Sequence, residues 1–289
     1  MITVFTPTYN RGRLLLRLYQ SLCKQSYRDF EWIIVDDGSN DDTGEIVGSF
    51  HIDDIPIQYV YKPNGGKHTA INLGVKEAKG ELFFIADSDD ILPFDSLEKV
   101  AKYYGGIKED PSYGGVCGLD ATFEGKMIGS GLPVDTIDGT SLDIRFIHGI
   151  TGDMKEVFKT SVLREFPFPE IIGERFCPEV LIWNRIASKY RLRYFNQIIY
   201  NVEYQDGGLT SSIVSVRMGS PINTTTTYAE MTSYNIPIRA KIRAAINYWR
   251  FRFCPKRQTA QQFPRIGKSW YVFAPIGLVL HFKDLRVCK

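Results

Sequence analysis

Apolar and polar positions over the first 90 residues switch repeatedly between a period of two and a period of about 3.6. Ile2-Thr3-Val4-Phe5-Thr6 reads as a buried strand, and residues 12–26 then place Leu15, Leu18 and Leu22 on one helical face. Trp32-Ile33-Ile34-Val35 predicts a second strand, and 41–49 a short helix capped by Asn40 or Asp41. Ile57-Gln58-Tyr59-Val60-Tyr61 predicts a third strand, 67–79 a helix stopped by Gly80, and 82–86 a fourth strand. This βαβαβαβ rhythm implies an α/β fold: a doubly wound, mostly parallel sheet flanked by helices. Further on, Leu97, Val100, Ala101 and Tyr104 mark a helix face and residues 115–119 a strand. A helix is expected from Glu179 and a strand over Leu192–Val202. The Gly-rich segment 125–131 and residues 132–150 lack a clear period and fit a variable region.

Every early strand runs into a polar cluster. The first gives Thr6-Pro7-Thr8-Tyr9-Asn10-Arg11 and the second Asp36-Asp37-Gly38-Ser39. The third is followed by Asn64-Gly65-Gly66-Lys67-His68, and the fourth by Asp87-Ser88-Asp89-Asp90. In an open α/β sheet these loops converge on the edge where ligands bind. Carboxylates packed this closely repel one another unless a cation lies among them. A hard divalent ion with oxygen ligands, shared with substrate phosphates, answers that need. The plain structural alternative is an acidic turn in which Asp90 or Asp95 caps the next helix. No G-x-G-x-x-G follows the first strand and no GxxxxGK[ST] occurs, which argues against a dinucleotide Rossmann site and a P-loop.

Thr6-Pro7-Thr8-Tyr9-Asn10, Val35-Asp36-Asp37-Gly38-Ser39, Asn64-x-Gly66 with Ala70 and Asn72, and Asp87-Ser88-Asp89 follow one another in an order and spacing that resembles the inverting family-2 glycosyltransferases of GT-A fold. The resemblance covers roughly residues 1–215. It implies a nucleotide-binding half over 1–90, an acceptor half over 91–215, a UDP-sugar donor and a divalent metal, Mn²⁺ or Mg²⁺, held through a D-x-D motif. Residue by residue, Asp89 matches the metal ligand, with Asp87 beside it toward the donor and Ser88 between them. Thr6, Pro7 and Tyr9 match the loop that holds the nucleoside. Asp36 or Asp37 matches the acid that meets the base. Relatives carry a basic residue just before the position of Asn72; here Ile71 stands there, and Lys67 is the compensating charge for the diphosphate.

Sugar transfer with inversion needs one base to take the proton of the acceptor hydroxyl. Relatives place an acidic pair before a helix of the form x-x-x-Leu-Trp-x-Arg-Leu-Ala. Counting back six residues from Arg185 puts Glu179 at the second acid, with Pro178 in place of the first. Glu179 is therefore the expected base, and Glu174 the fallback. The Gly- and Ser-containing stretch 203–212 suits a lid over the donor, or a plain surface loop.

Charge changes the picture at the C-terminus. Residues 237–289 hold 12 Lys/Arg against one acid, Asp284, a net of +11; residues 1–236 hold 23 bases against 32 acids, a net of −9. Residues 216–289 are thus expected to form a basic helical extension of the catalytic domain. In a helix over 237–253, Ile238, Ile242, Ala245, Ile246, Trp249 and Phe253 form an apolar stripe bordered by arginines and lysines, the pattern of an interfacial helix. Trp270–Leu280 is apolar but too short to span a bilayer. The five scattered cysteines form no CxxC pair, and the strand pattern at residues 2–6, with no basic n-region or long apolar stretch, leads us to expect no signal peptide. Together these predict a cytoplasmic enzyme, peripheral on the inner face of a bacterial plasma membrane. It would use a UDP-sugar and a glycan or lipid-linked glycan acceptor, with no nucleic-acid partner, and the pattern admits a homo-oligomer. The rival readings are a nucleotidyltransferase and a non-catalytic nucleotide-sugar-binding scaffold.

Overall fold

The computed structural model describes residues 1–203, 212–255 and 259–287. The chain divides into two units: Met1–Pro167 with Asn184–Glu203, and Phe168–Trp183 with Tyr204–Lys289.

The first unit is built on one eight-stranded sheet. Its strands are β1 (Ile2–Thr8), β2 (Phe30–Asp36), β3 (Ile57–Tyr61), β4 (Leu82–Ile85), β5 (Tyr113–Thr122), β6 (Thr136–Gly139), β7 (Met154–Lys159) and β8 (Arg191–Val202). They lie in the order β3-β2-β1-β4-β7-β5-β8-β6. β1 pairs in parallel with β2 and β4, and β2 with β3. β7 and β6 run antiparallel to their neighbours, while β5 and β8 pair in parallel. The architecture is a mostly parallel sheet flanked by helices. β1 and β2 are buried at every position, so their apolar residues are not confined to one face of the sheet. β3, at the sheet edge, is only partly buried.

The helices of this unit follow the expected apolar spacing. α1 (Gly12–Cys23) buries Leu15, Leu18 and Leu22 against the sheet. α2 (Thr43–Gly48) and α3 (Lys67–Glu77) connect β2, β3 and β4, and α4 (Ser96–Gly105) follows β4. Tyr19, Trp32 and Phe50 stack in one aromatic group on the α1 side. Neither Asn40 nor Asp41 caps α2; the cap position is Asp42, and Asp41 instead accepts from the Thr43 N–H at 3.1 Å. The variable region contains β6 and α5 (Ser141–Phe146), which starts on a reciprocal capping pair, Thr140 with Asp143. β7 and α6 (Thr160–Glu165) were not expected from periodicity.

In the second unit Glu174 is buried, and its two carboxylate oxygens accept from the Ile222 and Asn223 N–H groups at 2.6 and 2.9 Å. They cap the N-terminus of α9 (Pro221–Met231), which follows α8 (Ile213–Gly219). α10 (Ile238–Arg252) packs on α9, with Tyr228 and Phe251 stacked at 6.1 Å, and on α11 (Ala274–Val287). α7 (Glu179–Ala187) spans the boundary between the units. The apolar stripe of α10 is covered only in part: Ile238 at its start is 62% exposed. Ala245 is fully buried, and the Trp249 indole donates to the Trp270 carbonyl at 3.0 Å. A Cβ on Gly277 would stand 2.4 Å from the Trp249 Cβ, so only glycine lets α11 cross α10 here. No described helix is long and apolar enough to cross a membrane.

Candidate active site

The C-terminal edge of β1, β2 and β3 is fastened by side chain to backbone bonds. Asn10, with φ 52°, takes the left-handed conformation that turns the chain after β1. Its N–H donates to the Ser39 Oγ at 2.7 Å, and its Oδ1 accepts from the Asn40 N–H at 2.8 Å. Asp36 is buried and accepts from the Ser39 N–H at 2.7 Å and the Tyr59 hydroxyl at 2.6 Å. Asp37 accepts from the Gly65 and Gly66 N–H groups at 2.9 and 2.7 Å and pairs with the Lys62 ammonium at 2.5 Å. Gly38, at φ +88°, leaves room for Asn64: a Cβ there would stand 2.8 Å from the Asn64 nitrogen. Both candidate base-contacting acids are therefore also the clamps that hold these loops together.

Thr6 lies beneath this edge. Its hydroxyl accepts from the Trp32 indole at 2.9 Å, and its side chain is fully buried, so it is committed to the core. Pro7 is buried beside it, whereas Tyr9 is 45% exposed at the loop tip.

The loop after β4 is the electrostatic centre. Asp87 pairs with the Lys67 ammonium at 2.7 Å, and Asp89 with the Arg11 guanidinium at 2.9 Å. Lys67 opens α3 and Arg11 precedes α1, so each carboxylate holds a cation from a different loop. Ser88 between them is buried. The Asp87 N–H donates to the Tyr200 hydroxyl at 2.6 Å, and the Lys155 ammonium sits 3.5 Å over the Tyr200 ring. Burial acts to raise the Asp87 carboxyl, but Lys67, Lys155 and Arg11 outweigh it and hold it below its ordinary value. Asp90 goes the other way: burial, then the charges of Asp87 and Asp89, push it up to about 7. Its Oδ1 accepts from the Glu203 N–H at 3.1 Å, and Glu203 pairs with Arg17 at 2.6 Å. The expected lid begins at this latch, but Tyr204–Ser211 lie outside the described residues.

Periodicity missed Lys155 and Tyr200 and gave Arg11, Arg17 and Asp90 no site role. Arg11 and Asp90 stand in the polar clusters that close β1 and β4; Lys155 lies on the unexpected β7.

Among the described residues no group of three or more His, Cys, Asp or Glu side chains could by itself cage a metal ion. The donor set nevertheless fits a hard divalent ion. Asp87 and Asp89 would offer it carboxylate oxygens from one short loop, and such an ion commonly takes one or two carboxylates and completes its shell with water and substrate phosphate.

Glu179 is the first residue of α7, where a carboxylate complements the helix dipole, and its side chain is half-buried. Leu181, Ile182 and Ile186 of the same helix are buried. Glu174, the fallback base, is withdrawn: both of its oxygens are committed to the N-terminus of α9.

Residues 3–118 match the model of glycosyl transferase family 2. Over 219 residues the chain is 30% identical to the GalNAc(5)-diNAcBac-PP-undecaprenol beta-1,3-glucosyltransferase of Campylobacter jejuni, covering 71% of this chain and 66% of that protein. The chain belongs to the family-2 glycosyltransferases. Glycosyltransferase GlyG of Streptococcus pneumoniae is 40% identical over 99 residues, 34% of this chain and 33% of that one. The chain spans about a third or less of the length of the first curated relatives it matches, 33%, 34% and 26%. S. aureus TarS 1-349 in complex with UDP-GlcNAc has the same fold, with a TM-score of 0.63 at 17% identity, covering 99% of this chain and 90% of that one. The mannosyltransferase PcManGT of Pyrobaculum calidifontis, in complex with GDP-Man and Mn2+, gives a TM-score of 0.56 at 18% identity, covering 99% and 75%.

Proposed function

We propose that this glycosyltransferase moves a hexose or N-acetylhexosamine from a UDP-sugar to a glycan or lipid-linked oligosaccharide, with inversion, in the assembly of a cell-surface polysaccharide. The observation that carries the reading is the β4 edge, where Asp87 and Asp89 lie between Lys67 and Arg11. A carboxylate pair beside two cations suits a metal-bound diphosphate: acids for the ion, bases for the phosphoryl oxygens. A TarS structure holds UDP-GlcNAc, PcManGT holds GDP-Man with Mn2+, and the Campylobacter relative is named for an undecaprenol-linked acceptor. These names support the donor class, the ion and the acceptor class.

In this reading Asp89, with Asp87, holds Mn²⁺ or Mg²⁺, and Lys67 and Arg11 face the diphosphate. When bound, the ion neutralises the charge that develops on the leaving UDP. Tyr9, Pro7 and the backbone at Thr6 border the nucleoside, with Asp36 or Asp37 toward the base and Ser88 beside the donor. Glu179 takes the proton of the acceptor hydroxyl as its oxygen attacks the anomeric carbon and the bond from that carbon to the diphosphate breaks. Residues 1–215 form the catalytic domain and 216–289 a basic helical extension that works at the inner face of the membrane.

The test is UDP release from a panel of UDP-sugars with Mn²⁺ or Mg²⁺. Metal-dependent release from one sugar, reduced about a thousandfold in Asp89→Ala, is the expected result. Silence across the panel, with no UDP binding by calorimetry, overturns the UDP-sugar assignment. Release of pyrophosphate instead would move the chain to nucleotidyl transfer.

A further inference from the structure

The helix α11 is apolar on the side it turns away from α10. Gly277, His281 and Asp284 face inward and are buried. At 100° per residue, Val279 and Phe282 fall on the outer arc, with Leu278 and Ile276 at its two borders. They are 69%, 56%, 36% and 48% exposed, in that order. Trp270 and Tyr271 precede the helix in the 3₁₀ turn Lys268–Phe273. Lys283 and Arg286 stand exposed on its last turns. The one acid of residues 237–289, Asp284, is turned inward and accepts from the Arg250 Nη2 at 2.7 Å. The outer surface of α11 is therefore apolar over its first turns, cationic at its end and free of acid.

Two kinds of occupant would bury such a face. A second copy would bring one net +11 region against another and repel it. An anionic lipid surface instead attracts the charge, accepts the apolar side chains among its acyl chains and seats Trp and Tyr at the headgroup level. We propose that the outer face of α11 is the surface by which this chain docks on an anionic membrane. This centres the membrane contact on α11, which meets the α10 stripe at Trp249 and leaves Ile238 exposed. It deepens the peripheral placement of the enzyme and rests on that placement, but not on the identity of the donor.

The test is co-sedimentation of the full chain with phosphatidylcholine vesicles, with and without phosphatidylglycerol, alongside UDP binding by calorimetry and sedimentation velocity. The wild type is expected to bind the phosphatidylglycerol vesicles and to release at about 0.5 M salt, where exposed charges are screened. Val279→Glu with Phe282→Glu should weaken that binding about a hundredfold, since two apolar side chains no longer leave water. Lys283→Glu with Arg286→Glu should weaken it about tenfold or more. Both variants should keep wild-type helicity and UDP affinity, because the changed side chains are exposed. Vesicle binding unaffected by Val279→Glu/Phe282→Glu overturns the proposal. So does a wild type that ignores vesicles and instead forms a dimer that this variant abolishes. Vesicle binding without UDP binding would sink the donor assignment and leave the docking surface standing.

Discussion

The β4 edge and the outer face of α11 are built on opposite terms. At the edge nearly every polar group is held: Asp87 by Lys67, Asp89 by Arg11, Asp37 by Lys62 and two backbone N–H groups. On α11 the outward side chains of Val279 and Phe282 lie largely in solvent. The difference teaches what each task requires. Chemistry needs groups fixed to within a fraction of an ångström. Adhesion to a fluid surface needs only the right composition on one side of a helix. Small errors should therefore be fatal at the edge and graded on the helix.

The sharpest way to separate the two regions is Glu179→Gln. It removes a proton acceptor while keeping size and hydrogen-bonding capacity. Turnover should fall by about 10²- to 10⁴-fold, the usual worth of a general base, with UDP affinity and vesicle binding unchanged. Steady-state kinetics with the matching acceptor, set beside calorimetry, read both quantities. Wild-type turnover in this variant would place the base elsewhere, and Glu174 is not the substitute because it caps α9.

The converse change is Gly277→Val. The added side chain would meet Trp249, whose Cβ lies 2.4 Å from the position of a Cβ on residue 277. Overpacking of this kind costs about 1–3 kcal/mol, and here it falls on the contact between α10 and α11. Vesicle binding should weaken several-fold as α11 loses its seat, while UDP binding stays as in the wild type. If both fall together, the two regions are energetically one, and the comparison fails.

How much of this could be read from the sequence follows the same division. β1 to β4 and their helices were legible because β2 and β4 each hold four apolar residues in a row and α1 and α3 carry leucines or alanines at helical spacing. The D-x-D acids were legible because they directly follow such a run. β7 was not: Met154-Lys155-Glu156-Val157-Phe158-Lys159 carries three charges in six positions, and only its pairing between β4 and β5 makes it a strand. Arg11 stood in view without a role, because its partner Asp89 is 78 residues away. The basic apolar tail was visible too, but not which helix faces outward. Both α10 and α11 have an apolar side, and periodicity does not show that Gly277 seats one against Trp249 of the other.

The smallest effect tests whether the held charges near the edge carry a cost. Asp120, at the end of β5, is buried, and its Oδ1 has no hydrogen-bond partner among the described residues. Burial, aided by Asp153 and Asp87 and opposed by Lys155, pushes its carboxyl up to about 6. Unfolded, it would titrate near its ordinary value of about 4. Between those values the folded chain holds a proton that the unfolded chain has lost, so stability falls as pH rises through the window and stays lower above it. Asn at this position is neutral throughout. Asp120→Asn should therefore melt with the wild type near pH 4 and be more stable by about 2 kcal/mol at pH 8. Thermal melts across that range read the crossover. Parallel curves for the two proteins would mean that Lys155 already neutralises Asp120 when folded, and that the edge carries its buried acids without loss of stability.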